Sequence, residues 1–292
     1  MKPRYPVYVP TKGRWESRLT IRTLDSLGVS YKAVIEAQEV ENYVRSGVKR
    51  ENILILPHRD KGLVVTRNWI WDHALASGTP RFWTFDDNIM GFVRLNRNLR
   101  IPIVTANFFS VLEDFVDRYE NVPIAGFQYR FFAAARSKWP PFALNRRVYS
   151  NMLIQTDARD LSGKPYRNEG FYNDDTDLCL RVLKDGYCTV LFYAFLANKA
   201  ATMTVKGGMT PHYQPNQDGK DNRDSDGRYR MALELQKKHP DVTKIVWKWG
   251  RWQHEVDYSA FKDNRLQFRN DVVVSEGIDN YGIVLKNDLT SC

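Results

Sequence analysis

Two acidic clusters carry most of the chemistry that this 292-residue chain offers. The first, Asp86-Asp87-Asn88, closes the apolar run Phe82-Trp83-Thr84-Phe85. Adjacent carboxylates at the end of a buried strand repel each other unless a cation or hydrogen-bond donors compensate. A hard divalent ion, Mg²⁺ or Mn²⁺, takes such oxygens and leaves positions open for substrate phosphates. The same three residues also form ordinary turns, with Asp side chains capping nearby NH groups. The second cluster, Asp174-Asp175-Thr176-Asp177, opens a helical stretch that runs to Lys184 and stops before Gly186. Carboxylates there are held ionised by the free NH groups and the helix dipole. One of them could accept the proton of an alcohol as a general base, or simply cap the helix.

Composition narrows the setting for that chemistry. The chain is 43% apolar and 13% aromatic, ample for a buried core. No run approaches 18 apolar residues, Met1 to Pro10 lacks the apolar stretch of a signal peptide, and the three cysteines (Cys179, Cys188, Cys292) include no CxxC pair. A membrane span, a disulfide framework and a cysteine zinc site are therefore not expected; reduced thiols and a cytoplasmic location are. Neither GxGxxG nor GxxxxGK[ST] occurs, which removes the main support for a dinucleotide-binding dehydrogenase or a P-loop nucleotidase. The formal charge is +9, and residues 1–100 hold most of the excess, 17 Lys/Arg against 10 Asp/Glu. That suits an anionic partner, although solvated surface accounts for some of it.

The elements that must position the acids alternate strand and helix. Strands are predicted at Tyr5–Pro10, Tyr31–Glu36, Asn52–Leu56 and Arg81–Phe85. Helices are predicted at Trp15–Leu27, Glu39–Arg45 and Leu63–Leu75. The second half is mixed: helices at Ala106–Tyr119, Asp175–Lys184 and Arg228–Lys238, and strands at Val122–Gln128, Arg146–Thr156 and Cys188–Tyr193. A polar loop is expected over Pro211–Gly227. The order implies an α/β fold, a mostly parallel Rossmann-like sheet flanked by helices, with ligands at the carboxyl ends of its strands. We expect a core over 1–205 and an extension over 206–292 that packs on the core and lends a loop to the active site.

Read in sequence, a Thr11-Lys12-Gly13-Arg14 loop precedes an Arg67-Asn68 helix, the acidic strand end, and Asp174-Asp175 with Arg181 and Gly186 behind. This order resembles the nucleotide-sugar glycosyltransferases of GT-A fold, especially the inverting family-2-like group. Val9-Pro10-Thr11-Lys12-Gly13-Arg14 and Phe85-Asp86-Asp87-Asn88-Ile89 resemble the TET-associated glycosyltransferases of bacteriophages, which attach sugars to 5-hydroxymethylpyrimidines in phage DNA. The resemblance implies a UDP-sugar donor, UDP-glucose foremost, and Mn²⁺ or Mg²⁺ held by Asp86, Asp87 and His212. It implies Asp175 as base with Asp174 second, nucleotide contacts from Pro10, Thr11, Lys12, Arg14, Glu36 and Asp86, and a phosphate contact from Arg67. Arg67 could equally bridge to an acid on a helix surface, and His212 could be a plain loop residue.

For a DNA acceptor the candidates are Arg94, Arg97 and Arg100, then Arg130, Arg136, Lys138, Arg146 and Arg147, interleaved with Tyr129, Phe131, Phe132 and Trp139. A solvated basic face over an aromatic core reads the same way. Trp247, Trp249 and Trp252 are expected to pack. Rival readings keep the fold but transfer to a polysaccharide, lipid or protein hydroxyl, or make the chain a silent nucleic-acid-binding module.

Overall fold

In a computed structural model of the protein, the described residues are 2–201, 204–208, 226–271, 276–278 and 282–286. Four apolar segments pair in parallel: β1 (Val7–Pro10), β2 (Lys32–Glu36), β3 (Ile53–Leu56) and β4 (Arg81–Phe85). β1 and β4 are buried along their whole length, which is why they read as continuous apolar runs rather than alternating ones. Crossovers run through α1 (Leu19–Ser26), α2 (Val40–Arg45) and α3 (Leu63–Ala76). The chain then adds β5 (Ile89–Asn96), β6 (Leu99–Pro102), α4 (Asn107–Val116), β7 (Ile124–Tyr129), β8 (Phe142–Leu144), β9 (Asn151–Gln155), α5 (Asp174–Lys184) and β10 (Thr189–Lys199). The sheet order is β3-β2-β1-β4-β9-β7-β10-β5-β6, with β8 on β10. β9 runs antiparallel between β4 and β7, β7 and β10 are parallel, and the β5–β6 hairpin closes the far edge.

Helices cover both faces. Residues from α1, α2 and α4 share one core with Trp83, Phe85 and Phe127. Trp83 stacks on Phe127 at 5.3 Å and meets Phe109 edge-on at 5.2 Å. α3 and α5 cover the other face, where Trp71, Phe82 and Leu178 pack. Aromatic side chains of this size bury the most area per residue, so they fix how the layers stack.

Beyond the core, α6 (Gly227–Lys238) and the hairpin β11 (Thr243–Lys248) and β12 (Arg251–Val256) lie against the outer side of α5. Leu180 and Leu183 meet Leu235, Val242 and Phe261 there. Buried Asp177 accepts from His239 Nε2 at 3.1 Å and from Arg181 Nε at 3.0 Å, so the junction is polar as well as apolar. The following segment clamps back on the core, with Asn145 Nδ2 donating to the Phe261 and Asn264 carbonyls. No described helix is long and apolar enough to cross a membrane. Cys179 and Cys188 are buried and unbridged.

Sequence expectations change at several points: the helix expected from Trp15 begins only at Leu19, and the strand expected to end at Tyr193 runs on to Lys199. The predicted strand at 146–156 starts only at Asn151, because Ser150 takes a left-handed φ of 62°. The β5–β6 hairpin was not expected; its turn at Arg97 and Asn98 has positive φ at both residues, without the glycine that usually signals such a turn. Trp252 packs, 7% exposed, but Trp249 is 80% exposed at the β11–β12 turn and cannot be a packing residue. The predicted loop at Pro211–Gly227 falls mainly outside the described residues.

Gly126 shows how tightly the sheet's centre is made. A Cβ there would stand 2.1 Å from the Asn151 carbonyl oxygen, a backbone atom of β9. Gly126→Ala is therefore expected to cost about 3 kcal/mol of stability, the scale of core overpacking. Chemical denaturation would measure it, and an unchanged midpoint would show that β7 and β9 separate freely.

Candidate active site

A cleft of about 740 Å³ opens at the carboxyl ends of β1, β2 and β4. The strand order reverses between β1 and β4, and open α/β sheets bind ligands at such a switch point. The acidic turn after β4 is pinned from both sides. Asp86 N donates to the Ser150 carbonyl at 2.7 Å, while Thr20 Oγ1 binds the Asp86 carbonyl and accepts from Ile89 N at 2.9 Å.

Asp86 is fully engaged. Its Oδ1 accepts from Arg67 Nη2 at 2.9 Å, and its Oδ2 from Lys199 Nζ at 2.9 Å and from Ser150 Oγ. Burial opposes its charge, but Lys199 and Arg67 outweigh burial and hold the carboxyl well below its usual range. Asp87 pairs with the Arg14 guanidinium and accepts from Thr11 Oγ1 at 2.9 Å. Thr11 spends its proton there, so Tyr43 OH must donate to Thr11 Oγ1 across their 2.6 Å contact. Burial pushes Asp87 up, against the pull of Arg14.

The second acidic cluster divides its labour. Asp174 receives Arg67 Nη1 on both oxygens, at 2.7 and 2.6 Å, and burial pushes its carboxyl up against that pull. Among the described residues Asp175 accepts on Oδ1 alone, from Thr176 N at 2.6 Å and Thr176 Oγ1 at 3.1 Å, and it lines the cleft. Neither acts as the helix cap, since Asn173 occupies that position and makes no capping bond. Arg67, expected at a donor phosphate or on a helix surface, is instead buried and joins the two acidic clusters.

Toward the outer end, Lys12 Nζ binds both Glu36 oxygens, at 2.9 and 3.0 Å, and reaches Asp60. Residues 204–208 strap across this loop: Gly208 N donates to the Lys12 carbonyl at 3.0 Å and Arg14 Nη2 to the Gly207 carbonyl at 3.1 Å. Gly207 sits at φ 88°, where a Cβ would stand 2.5 Å from the Gly13 carbonyl oxygen. Pro10 and Thr11 line the same end. His212 lies outside the described residues.

At the acidic strand end only Asn88 offers a divalent ion an open oxygen among the described residues; Asp87 would have to give up Arg14 or Thr11 to join it. Asn88 Oδ1 is buried, lines the cleft and has no partner among the described residues, whereas both Asp86 oxygens are taken by cations. No cluster of three or more His, Cys, Asp or Glu converges among the described residues.

Lys199 escaped the sequence reading, although a signal existed: like Asp86 it closes an apolar strand, β10. Its ammonium also contacts Ser150 Oγ at 2.7 Å and Tyr129 OH at 3.0 Å. The acceptor candidates separate. Arg94 and Arg97 on the β5–β6 hairpin, and Arg130, Arg136 and Lys138 after β7, are all exposed. The two segments are joined, with Arg136 N donating to the Asn98 carbonyl and Arg100 Nε to the Ala133 carbonyl. Phe131 is 85% exposed, and Phe132 lines the cleft beside Tyr129. Trp139 packs flat on Tyr193 at 5.1 Å. Arg146 is exposed, while Arg147 lines the cleft.

A sheet of this order, with an acidic strand end and an acidic helix start sharing one cleft, defines a glycosyltransferase of GT-A type. The chain belongs to the TET-associated glycosyltransferase family, whose model matches residues 5–208. Among solved structures it is similar to TarS 1–349 of S. aureus, at 10% identity and a TM-score of 0.40, over 91% of this chain and 98% of that one. No curated protein matches.

Removing the cation between the two clusters should be severe. Arg67→Met strands Asp174 as a buried carboxylate and leaves Asp86 to Lys199 and Ser150, a loss of about 3–5 kcal/mol when one partner of a buried pair is deleted. Urea unfolding would report it; a loss below about 1 kcal/mol would mean that the acids relax to water.

Proposed function

We propose that the protein transfers a sugar from a UDP-sugar, UDP-glucose foremost, to the hydroxyl of 5-hydroxymethylcytosine or another hydroxymethylpyrimidine in phage DNA, in the host cytoplasm. The observation that carries this reading is Asp175. It lines the same cleft as the acidic strand end and, among the described residues, makes hydrogen bonds through only one carboxylate oxygen. Asp174 is a poorer base, because taking up a proton would break its two-point contact with Arg67.

Asp175 takes the hydroxymethyl proton as the acceptor oxygen bonds to the anomeric carbon and the bond to the diphosphate oxygen breaks. The UDP departs with that electron pair, and Asp175 later releases its proton to water. A single displacement inverts the anomeric centre. Pro10, Thr11, Lys12 and Arg14 border the nucleotide, and Glu36 reaches base or ribose. Asp87 and Asn88 would hold Mn²⁺ or Mg²⁺, with His212 as a further ligand; a bound ion neutralises charge on the leaving diphosphate. The exposed Arg94, Arg97, Arg130, Arg136 and Lys138 would take DNA phosphates, and Phe131 and Phe132 beside the cleft suit an unstacked base. That basic, aromatic mouth favours DNA over a polysaccharide, lipid or protein hydroxyl.

The test is incubation with Mn²⁺, a panel of nucleotide sugars and 5-hydroxymethylcytosine DNA, followed by mass analysis of the digested nucleosides. A hexose-sized gain is expected; transfer only to another acceptor would overturn the DNA assignment. Asp175→Asn should lower kcat by about 10²–10⁴-fold, the usual share of a general base, with UDP affinity unchanged. Retained turnover would place the base elsewhere. Asp87→Ala should weaken metal-dependent UDP binding by about 10- to 100-fold, as disrupted metal shells do. Equal affinity with and without Mn²⁺ in the wild type would remove the metal from the reading.

A further inference from the structure

Three cations of the inner cleft are matched by carboxylates: Arg14 by Asp87, Arg67 by Asp174 and Asp86, and Lys199 by Asp86. Arg147 is not. Its Nη1 donates to Thr176 Oγ1 at 3.3 Å and to His254 Nε2 at 3.0 Å, and its guanidinium covers the Tyr149 ring at 4.0 Å. None of these partners is an anion, and no carboxylate among the described residues forms an ion pair with it. Asp175 is near enough to favour the charge without pairing.

The histidine contact has a definite sense. A guanidinium only donates, so His254 Nε2 must accept and the ring proton must sit on Nδ1. Burial, reinforced by Arg147, pushes the imidazole down to about 4, so His254 is neutral near pH 7. A neutral acceptor from β12 therefore aims the cation without discharging it. A partly buried guanidinium left uncompensated is costly unless the working site brings it an anion.

We infer that Arg147 receives a phosphate oxyanion when the cleft is occupied, and that His254 is the positioning residue that turns it there. The phosphate belongs either to the donor diphosphate or to a phosphodiester flanking the acceptor nucleotide. The inference rests on the reading of the cleft as a site for phosphate-bearing substrates. It also gives the C-terminal hairpin a role that residues 5–208 cannot supply, since His254 lies beyond them.

The experiment uses the full chain and equilibrium binding: calorimetry with UDP, and fluorescence anisotropy with a single-stranded oligonucleotide containing 5-hydroxymethylcytosine. Arg147→Met should weaken one of the two ligands by at least about tenfold and lower the steepness of its salt dependence by about one phosphate contact. Loss on UDP assigns the donor diphosphate; loss on the oligonucleotide assigns the acceptor backbone. His254→Ala should weaken the same ligand in lesser degree, and His254→Gln, whose amide oxygen can accept from Arg147, should restore it. If Arg147→Met fails to fold, Arg147→Lys and the His254 pair carry the same comparison. Unchanged affinity for both ligands overturns the phosphate role, and a His254→Ala protein that binds like the wild type overturns the positioning role. A protein that binds UDP but glycosylates no hydroxymethylated DNA would sink the proposed acceptor while leaving Arg147 readable through UDP.

Discussion

The guanidinium of Arg67 is the interaction around which the cleft is organised. One planar fork reaches Asp174 at the start of α5 and Asp86 at the end of β4, residues far apart in sequence. Lys199 at the end of β10 and Ser150 at the start of the β9 segment then complete the other side of Asp86. Alternating charges of this kind are stable only as a whole, because each buried member depends on its neighbours for compensation. An ammonium at position 67 would be a point charge, unable to span two carboxylates in fixed directions. The result is a division of roles: Asp86, Asp87 and Asp174 are held by neighbouring donors, while Asn88 and Asp175 keep capacity for ligands.

The cleft also depends on sequence beyond the family core. Arg228 and Met231 of α6 and Arg251 to His254 of β12 line it opposite the strand ends. Their position is set behind α5, where Asp177 holds His239 and where Leu180 and Leu183 meet Leu235. One helix therefore serves two purposes. Its first turn presents Asp175 to the cleft, and its outer face anchors the unit that walls the cleft. Displacement of α6 would disturb the cleft end of α5 without touching Asp175, since Asn173, just before that turn, donates to the Met231 carbonyl.

The parts legible in the sequence were those written in local periodicity. β4 occupies the expected Arg81–Phe85, and α3 and α5 fall within a residue of their predicted bounds, because apolar period and stop signals fix such elements. The β5–β6 hairpin was hidden because Arg97 and Asn98 adopt left-handed geometry without glycine. Strand β9 was overextended because nothing local marks Ser150 as left-handed. Within the site, the sequence located both acidic clusters but could not partner them. Whether Arg67 faces a phosphate or a carboxylate is decided by where α5 lands on the sheet, which is tertiary information.

The surplus of basic residues takes on a different meaning once those partners are known. Lys12, Arg14 and Arg67 all belong to the basic first third, yet each is matched by carboxylates inside the cleft. They hold geometry and are offset by the carboxylates they bind, so they add little net attraction for an incoming anion. The attraction rests instead with the exposed arginines of the β5–β6 hairpin and the segment after β7. On the proposed reading those charges govern encounter with a polyanionic acceptor, an effect that salt screens over about 10 Å at 0.1 M. Arg147 acts later and at contact, inside the cleft, where screening is weaker. Recruitment and alignment thus draw on different cations, several for recruitment and one for alignment.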